Sequence, residues 1–209
     1  MVFLKMKDKF QKLKNAIECN PKYLIAQKVI FPIYSFDLTG VIDPESIVKR
    51  ALPFKKNNSE SAKPDIVKNG YQTVYIQEVD SNLFSDLNNV IEDKCKLIFK
   101  QNYKARDYWF VFYEHGSEVL NHNHYNLNSF NRGENKFQNY PLSVAYYPLC
   151  SEKSSPIIFS SHTEGNPDLI IPVKQNTLLL FNANLYHYVP SSNEDNLRLV
   201  YSCNLYLED

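Results

Sequence analysis

Thr177-Leu-Leu-Leu-Phe181, Leu185-Tyr-His-Tyr-Val-Pro190 and Leu197-Arg-Leu-Val-Tyr-Ser-Cys-Asn-Leu-Tyr206 read as three successive β-strands. Each is a short run of aliphatic and aromatic residues, and Asn, Ser and Pro clusters separate them, which is the signature of strands joined by turns. Toward the N-terminus the same pattern recurs near 108–114, 118–124, 142–148, 156–161 and 168–173. With 177–182, 185–190 and 197–206 that makes eight strands, the count of a jelly roll in two sheets. Residues 125–141 interrupt the series without periodicity, and a loop of that length in a compact domain reads as a lid or binding loop, here carrying Phe130, Arg132 and Phe137.

The first half has a different texture. Phe3, Met6, Phe10, Leu13 and Ile17 recur at helical steps, so residues 2–18 are expected to form an amphipathic helix whose other face holds Lys5, Lys7, Lys9, Lys12 and Lys14. A strand over 29–38 follows, with Pro32 marking an edge or a bend. Asp43-Pro44-Glu45 has the N-cap, first-turn proline and early acid of a short helix reaching about Leu52. Lys55 to Lys63 reads as a polar loop and Tyr71 to Val79 as a strand. Ser81 is expected to cap a long helix to about Lys100, burying Phe84, Leu87, Ile91, Cys95 and Ile98. The expected fold is mainly β with N-terminal α-helices, a double-stranded β-helix. Its organisation is a support region over 1–106 and a jelly-roll core over 107–209, compact as one domain.

Lys+Arg and Asp+Glu balance at 23 each over 209 residues, but unevenly along the chain. Residues 1–106 carry 18 cations against 12 acids, and residues 107–209 carry 5 against 11. The split reads as two differently charged faces of one protein. Cys19, Cys95, Cys150 and Cys203 form no CxxC pair, no run of 18 apolar residues exists, and lysines break the first apolar run after four residues. Free thiols in a reducing cytoplasm are the expectation.

All five histidines fall between positions 115 and 187. In His122-Asn-His124 the two imidazoles stand at i and i+2, which on an extended chain places them on one side. His187 lies on a later strand, and imidazole is a good ligand for first-row metals. Arg198 is the one late cation that opens a strand expected to be buried. A buried guanidinium needs an anionic partner, and its planar fork suits a carboxylate, either of Glu194 or Asp195 or of a ligand. His115 reads as a rim residue and His162 as a loop residue. Glu164 and Asp168 are acids that could supply a carboxylate ligand, and neither is expected to.

His122, His187 and Arg198, in this order and on these strands, resemble the 2-oxoglutarate- and Fe(II)-dependent dioxygenases, in particular their prolyl-4-hydroxylase-like branch. The resemblance covers about 107–206. It implies that His122 and His187 bind Fe(II) and that Arg198 binds the distal carboxylate of 2-oxoglutarate. It further implies that Tyr113, and Tyr146 or Tyr147 on the third strand, line the cosubstrate pocket. The implied reaction decarboxylates 2-oxoglutarate with dioxygen and hydroxylates a C–H bond of a small molecule or a peptide; nucleic acid is the less favoured substrate. Two positions depart from the family pattern. His124 stands where the family has Asp or Glu, which makes the ligand set His122, His124 and His187, and Val200 stands where many members carry a polar residue. The competing readings are a jelly-roll metalloprotein without 2-oxoglutarate (a three-histidine thiol dioxygenase or a cupin-like isomerase) and a non-catalytic binding module.

Overall fold

Strand after strand in the second half is apolar at nearly every position, which demands a sheet covered on both faces. The computed structural model, which describes residues 32–56, 61–124, 142–161, 167–193 and 195–208, has that arrangement. The eight strands read from the sequence are β4 (Tyr103–Tyr113), β5 (Glu118–His122), β6 (Leu142–Leu149), β7 (Ile157–Phe159), β8 (Leu169–Ile171), β9 (Thr177–Asn182), β10 (His187–Val189) and β11 (Arg198–Leu207). Three short strands precede them: β1 (Tyr34–Asp37), β2 (Val67–Lys68) and β3 (Tyr71–Gln72). All pair antiparallel, in a six-stranded sheet of order β1-β9-β6-β11-β4-β3 and a five-stranded sheet of order β2-β5-β10-β7-β8. The fold is a jelly roll. β1 is an edge strand, as Pro32 implied. The 106/107 division falls within β4, and residues 32–209 form one compact unit.

Parity along the six-stranded sheet sorts its side chains into two cores. Phe110 and Phe112 of β4, Val144 and Tyr146 of β6, Leu178 and Leu180 of β9 and Tyr201 and Cys203 of β11 face the helices. Their neighbours Trp109, Val111 and Tyr113, Ala145 and Tyr147, Leu179 and Phe181, and Val200 face the second sheet. The functional candidates belong to this second, inter-sheet core.

Helix α1 (Pro44–Lys56) lies against β6, and α2 (Ser85–Phe99) against β4. The Asp43 carboxylate accepts the Glu45 N–H at 3.1 Å, as the sequence implied, but α1 runs four residues past Leu52. Phe54 packs on the helix-side core, and that burial outweighs the hydrogen bond lost at Pro53. Helix α2 starts at Ser85 instead of after Ser81, with Phe84 as its N-cap residue. Phe84 is fully buried with its ring centroid 5.0 Å from that of Phe110, and Tyr108 Oη donates to the Ser81 carbonyl at 3.1 Å, so the 81–84 segment is held as a turn. The strand expected over 71–79 ends at Gln72 and gives way to a 3-10 turn at Ile76–Glu78. Thr73 explains the departure: its Oγ1 accepts the Phe110 N–H at 3.0 Å in place of a strand carbonyl, and the chain turns to bury Ile76. The helix over 2–18, the 125–141 loop, His162, Glu164 and Glu194 lie outside the described residues.

Candidate metal centre and cosubstrate pocket

β5 and β10 are neighbours, and their register places the Cα of His122 opposite that of His187. His124 follows two residues after His122, beyond the end of β5, where its backbone N–H donates to the Ala183 carbonyl at 2.9 Å. The three rings converge, with centroids 4.4 Å (122 to 187), 5.0 Å (124 to 187) and 5.2 Å (122 to 124) apart. One nitrogen from each lies within 4.8 Å of the others, and Nε2 of His122 and of His124 are 3.3 Å apart.

The outer nitrogens are all engaged. Nδ1 of His122 donates to the Leu120 carbonyl at 2.8 Å, and Nδ1 of His187 to the Leu185 carbonyl at 2.9 Å. Nδ1 of His124 meets Asn204 Oδ1 at 3.0 Å and Ser143 Oγ at 2.9 Å. Each imidazole therefore carries its proton outward and turns the Nε2 lone pair inward, the second-shell arrangement of metal-binding histidines. Burial lowers the basicity of all three. His124 is pushed down to about 3, with the neighbouring His122 adding to the effect, and His187 is held well below the usual imidazole value by burial and by both neighbours. His122 is lowered too, against two backbone hydrogen bonds that oppose the shift. Neutral, pre-oriented imidazoles of this number and spacing fit a first-row divalent cation.

These shifts have a consequence for stability. Folded-state values below the unfolded value mean that the unfolded chain binds more protons between the two, so stability is full above pH 6.5. As pH falls from 6.5 toward 3, stability of the metal-free protein is expected to fall, by up to about 1.4 kcal/mol per histidine for each pH unit. Urea unfolding of metal-free protein at several pH values, compared with a His124→Gln variant, checks this; the variant should show a shallower decline.

Arg198 stands on β11 in the other sheet, directly opposite Tyr113 of β4, and lines the same cavity as the three histidines. It is 4 % exposed. Its Cζ lies 4.6 Å from the Tyr113 ring centroid and 5.3 Å from that of Tyr147, and Nη1 donates to the Ser155 carbonyl. Nε is buried and has no hydrogen-bond partner. Among the described residues no carboxylate forms an ion pair with Arg198, and Asp195 instead faces His115 at 3.3 Å on the surface. Tyr113 and Tyr147 are buried phenols whose pKa values are raised by desolvation, with Arg198 opposing, so both keep their O–H groups.

The structure brings together His122, His124, His187, Arg198, Tyr113 and Tyr147 around one cavity. Tyr146 is not among them. Strand parity turns it to the helix side, where its Oη donates to Asn176 Oδ1 at 2.7 Å. Asp168 is also no ligand: its carboxylate accepts the Ser161 N–H at 2.8 Å and the Tyr188 hydroxyl at 3.2 Å. The sequence reading missed Trp109, whose ring centroid is 5.3 Å from that of His124, and the Ser143–Asn204 pair behind that histidine. Counting by twos along β11 from Arg198 reaches Asn204, so parity carried the signal.

The fold that carries these residues occurs in known structures. A non-heme α-ketoglutarate-dependent epimerase of nogalamycin biosynthesis, SnoN, aligns over 89% of this chain and 83% of its own with a TM-score of 0.63 at 13% identity. HygX from Streptomyces hygroscopicus, solved with nickel and 2-oxoglutarate, gives 0.60 over 84% and 83% at 10% identity. A Pseudomonas putida prolyl-4-hydroxylase gives 0.58 over 86% and 94% at 9% identity. The chain has the 2-oxoglutarate/Fe(II) oxygenase fold. No family model and no curated protein sequence matches it. Within this fold the inter-sheet cavity is the place where the histidine cluster and Arg198 meet. Among the described residues no helix is long and apolar enough to cross a membrane.

Proposed function

We propose that the chain is an Fe(II)- and 2-oxoglutarate-dependent oxygenase that hydroxylates a C–H bond of a small-molecule or peptide substrate. One observation carries the reading: a buried guanidinium, with an unpartnered Nε and no described carboxylate beside it, shares a cavity with three convergent imidazoles. A metalloprotein without an anionic cosubstrate has no use for that charge, which costs several kcal/mol to bury alone.

His122, His124 and His187 would hold Fe(II) through Nε2. Being neutral, they leave the full dipositive charge at the centre, which favours an anionic chelate. Arg198 would pair with the distal carboxylate through Nε and its neighbouring N–H groups, and Tyr113 and Tyr147 hold the guanidinium between their rings. When bound, iron and 2-oxoglutarate supply the oxidising chemistry with dioxygen, releasing succinate and CO2. Val111, Phe181 and Val200 give the cavity apolar walls beside its polar groups.

Anaerobic addition of Fe(II) and then 2-oxoglutarate tests this. A visible charge-transfer band should develop with 2-oxoglutarate and not with succinate. Iron-replete protein that stays colourless on adding 2-oxoglutarate would disprove the cosubstrate assignment.

A further inference from the structure

Two of the three imidazoles take their Nδ1 acceptors from their own strands, from the carbonyls of Leu120 and Leu185, two residues back in each case. His124 lies past the end of β5 and has no such carbonyl. Its Nδ1 meets Asn204 Oδ1 and Ser143 Oγ, which come from the opposite sheet. Asn204 of β11 and Ser143 of β6 are register partners, and Ser143 Oγ donates to Asn204 Oδ1 at 3.0 Å. Ser143 is fully buried and Asn204 is 7 % exposed. Proton accounting then fixes the tautomer. A hydroxyl has one proton, and Ser143 has committed it to Asn204, so Oγ can only accept from the imidazole. An amide oxygen can only accept. Both atoms facing Nδ1 are acceptors, so Nδ1 must carry the proton and Nε2 the lone pair.

We propose that Asn204, supported by Ser143, is a positioning residue that commits His124 to the tautomer able to bind a metal. The inference rests on the three-histidine centre proposed above and goes beyond it by assigning how its off-strand ligand is held. Asn204 does not line the cavity; it acts through the imidazole, and it ties the histidine cluster on one sheet to the strand that carries Arg198 on the other.

The test uses two readouts, neither of them turnover. In 15N-histidine-labelled metal-free protein, long-range proton–nitrogen spectra should show His124 as the Nδ1–H tautomer, and Asn204→Ala should convert it to a mixture. Titration with Co(II), followed by its visible bands, should weaken about 10–100-fold in Asn204→Ala. Asn204→Asp keeps the acceptor oxygen and should restore both readouts. Asn204→Leu, which removes the acceptor and keeps the side-chain volume, serves the same comparison if Asn204→Ala does not fold. An unchanged tautomer and unchanged affinity on removing the acceptor overturns the positioning role, and so does an Asn204→Asp loss as large as that of Asn204→Ala. Wild-type protein that fails to bind Co(II) overturns the metal centre itself.

Discussion

His187→Ala is expected to abolish stoichiometric binding of a divalent ion and, on the proposed reading, all 2-oxoglutarate turnover with it. His187 is the most buried of the three imidazoles, at 6 % exposure, and its strand is hydrogen-bonded on both sides, to β5 and to β7. Phe159 and Phe181 flank its ring at 5.7 and 5.1 Å, and neither can supply a replacement ligand. Metal binding at four-ligand sites amounts to about 10–16 kcal/mol, so one ligand contributes roughly 3 kcal/mol, a weakening on the order of a hundredfold or more. The metal-free variant should remain folded, because the neutral ring it loses makes one side-chain hydrogen bond, to the Leu185 carbonyl, and pairs with no charged group. Equilibrium dialysis against Fe(II) or Co(II), with circular dichroism as the folding control, checks the result. One tightly held ion per chain in the variant would remove His187 from the centre.

The same residue shows what the sequence could and could not say. Strand periodicity placed His122 and His187 on extended segments, and the strand count gave a jelly roll; the pairing of those two strands and the register that sets the histidines opposite each other follow from neither. Tyr146 and Tyr147 were indistinguishable as pocket candidates because β6 is apolar at every position from Leu142 to Tyr147 except Ser143. Periodicity says nothing when both faces of a strand are buried, and only the placement of α1 against β6 decides which tyrosine faces the helices. The start of α2 and the early end of β3 went unread for a related reason. At Phe84 and Thr73 a tertiary contact, an aromatic pair in one case and a side-chain acceptor for Phe110 in the other, overrides the local propensity. Arg198 was legible for the opposite reason: a cation opening a run as apolar as Leu199-Val-Tyr201 contradicts its surroundings, and such contradictions concentrate at functional sites.

Arg198→Met should separate the cosubstrate from the metal. On the proposed reading, loss of the guanidinium leaves the distal carboxylate of 2-oxoglutarate buried without a partner, at about 3–5 kcal/mol. Its dissociation constant should therefore rise roughly 10²–10⁴-fold, while Co(II) affinity stays close to that of wild type, since Arg198 contacts none of the three imidazoles. Metal-free stability should move the other way or not at all. Among the described residues the wild-type guanidinium has the Ser155 carbonyl and the Tyr113 and Tyr147 side chains to offset its desolvation, while its Nε is unpartnered. Two cation–π contacts return about 1–2 kcal/mol each when desolvated, less than the several kcal/mol that a lone buried charge costs. Arg198→Lys is not a rescue, because a point charge cannot reproduce the fork and leaves the ring stacking behind. Thermal unfolding of metal-loaded protein gives a direct measurement. Wild type at a hundred times its dissociation constant should gain about 2.7 kcal/mol from 2-oxoglutarate, and the methionine variant at the same concentration almost none. An equal gain in the two proteins would mean that the buried guanidinium serves something other than the dicarboxylate, and the three histidines would then belong to a metalloprotein of another kind.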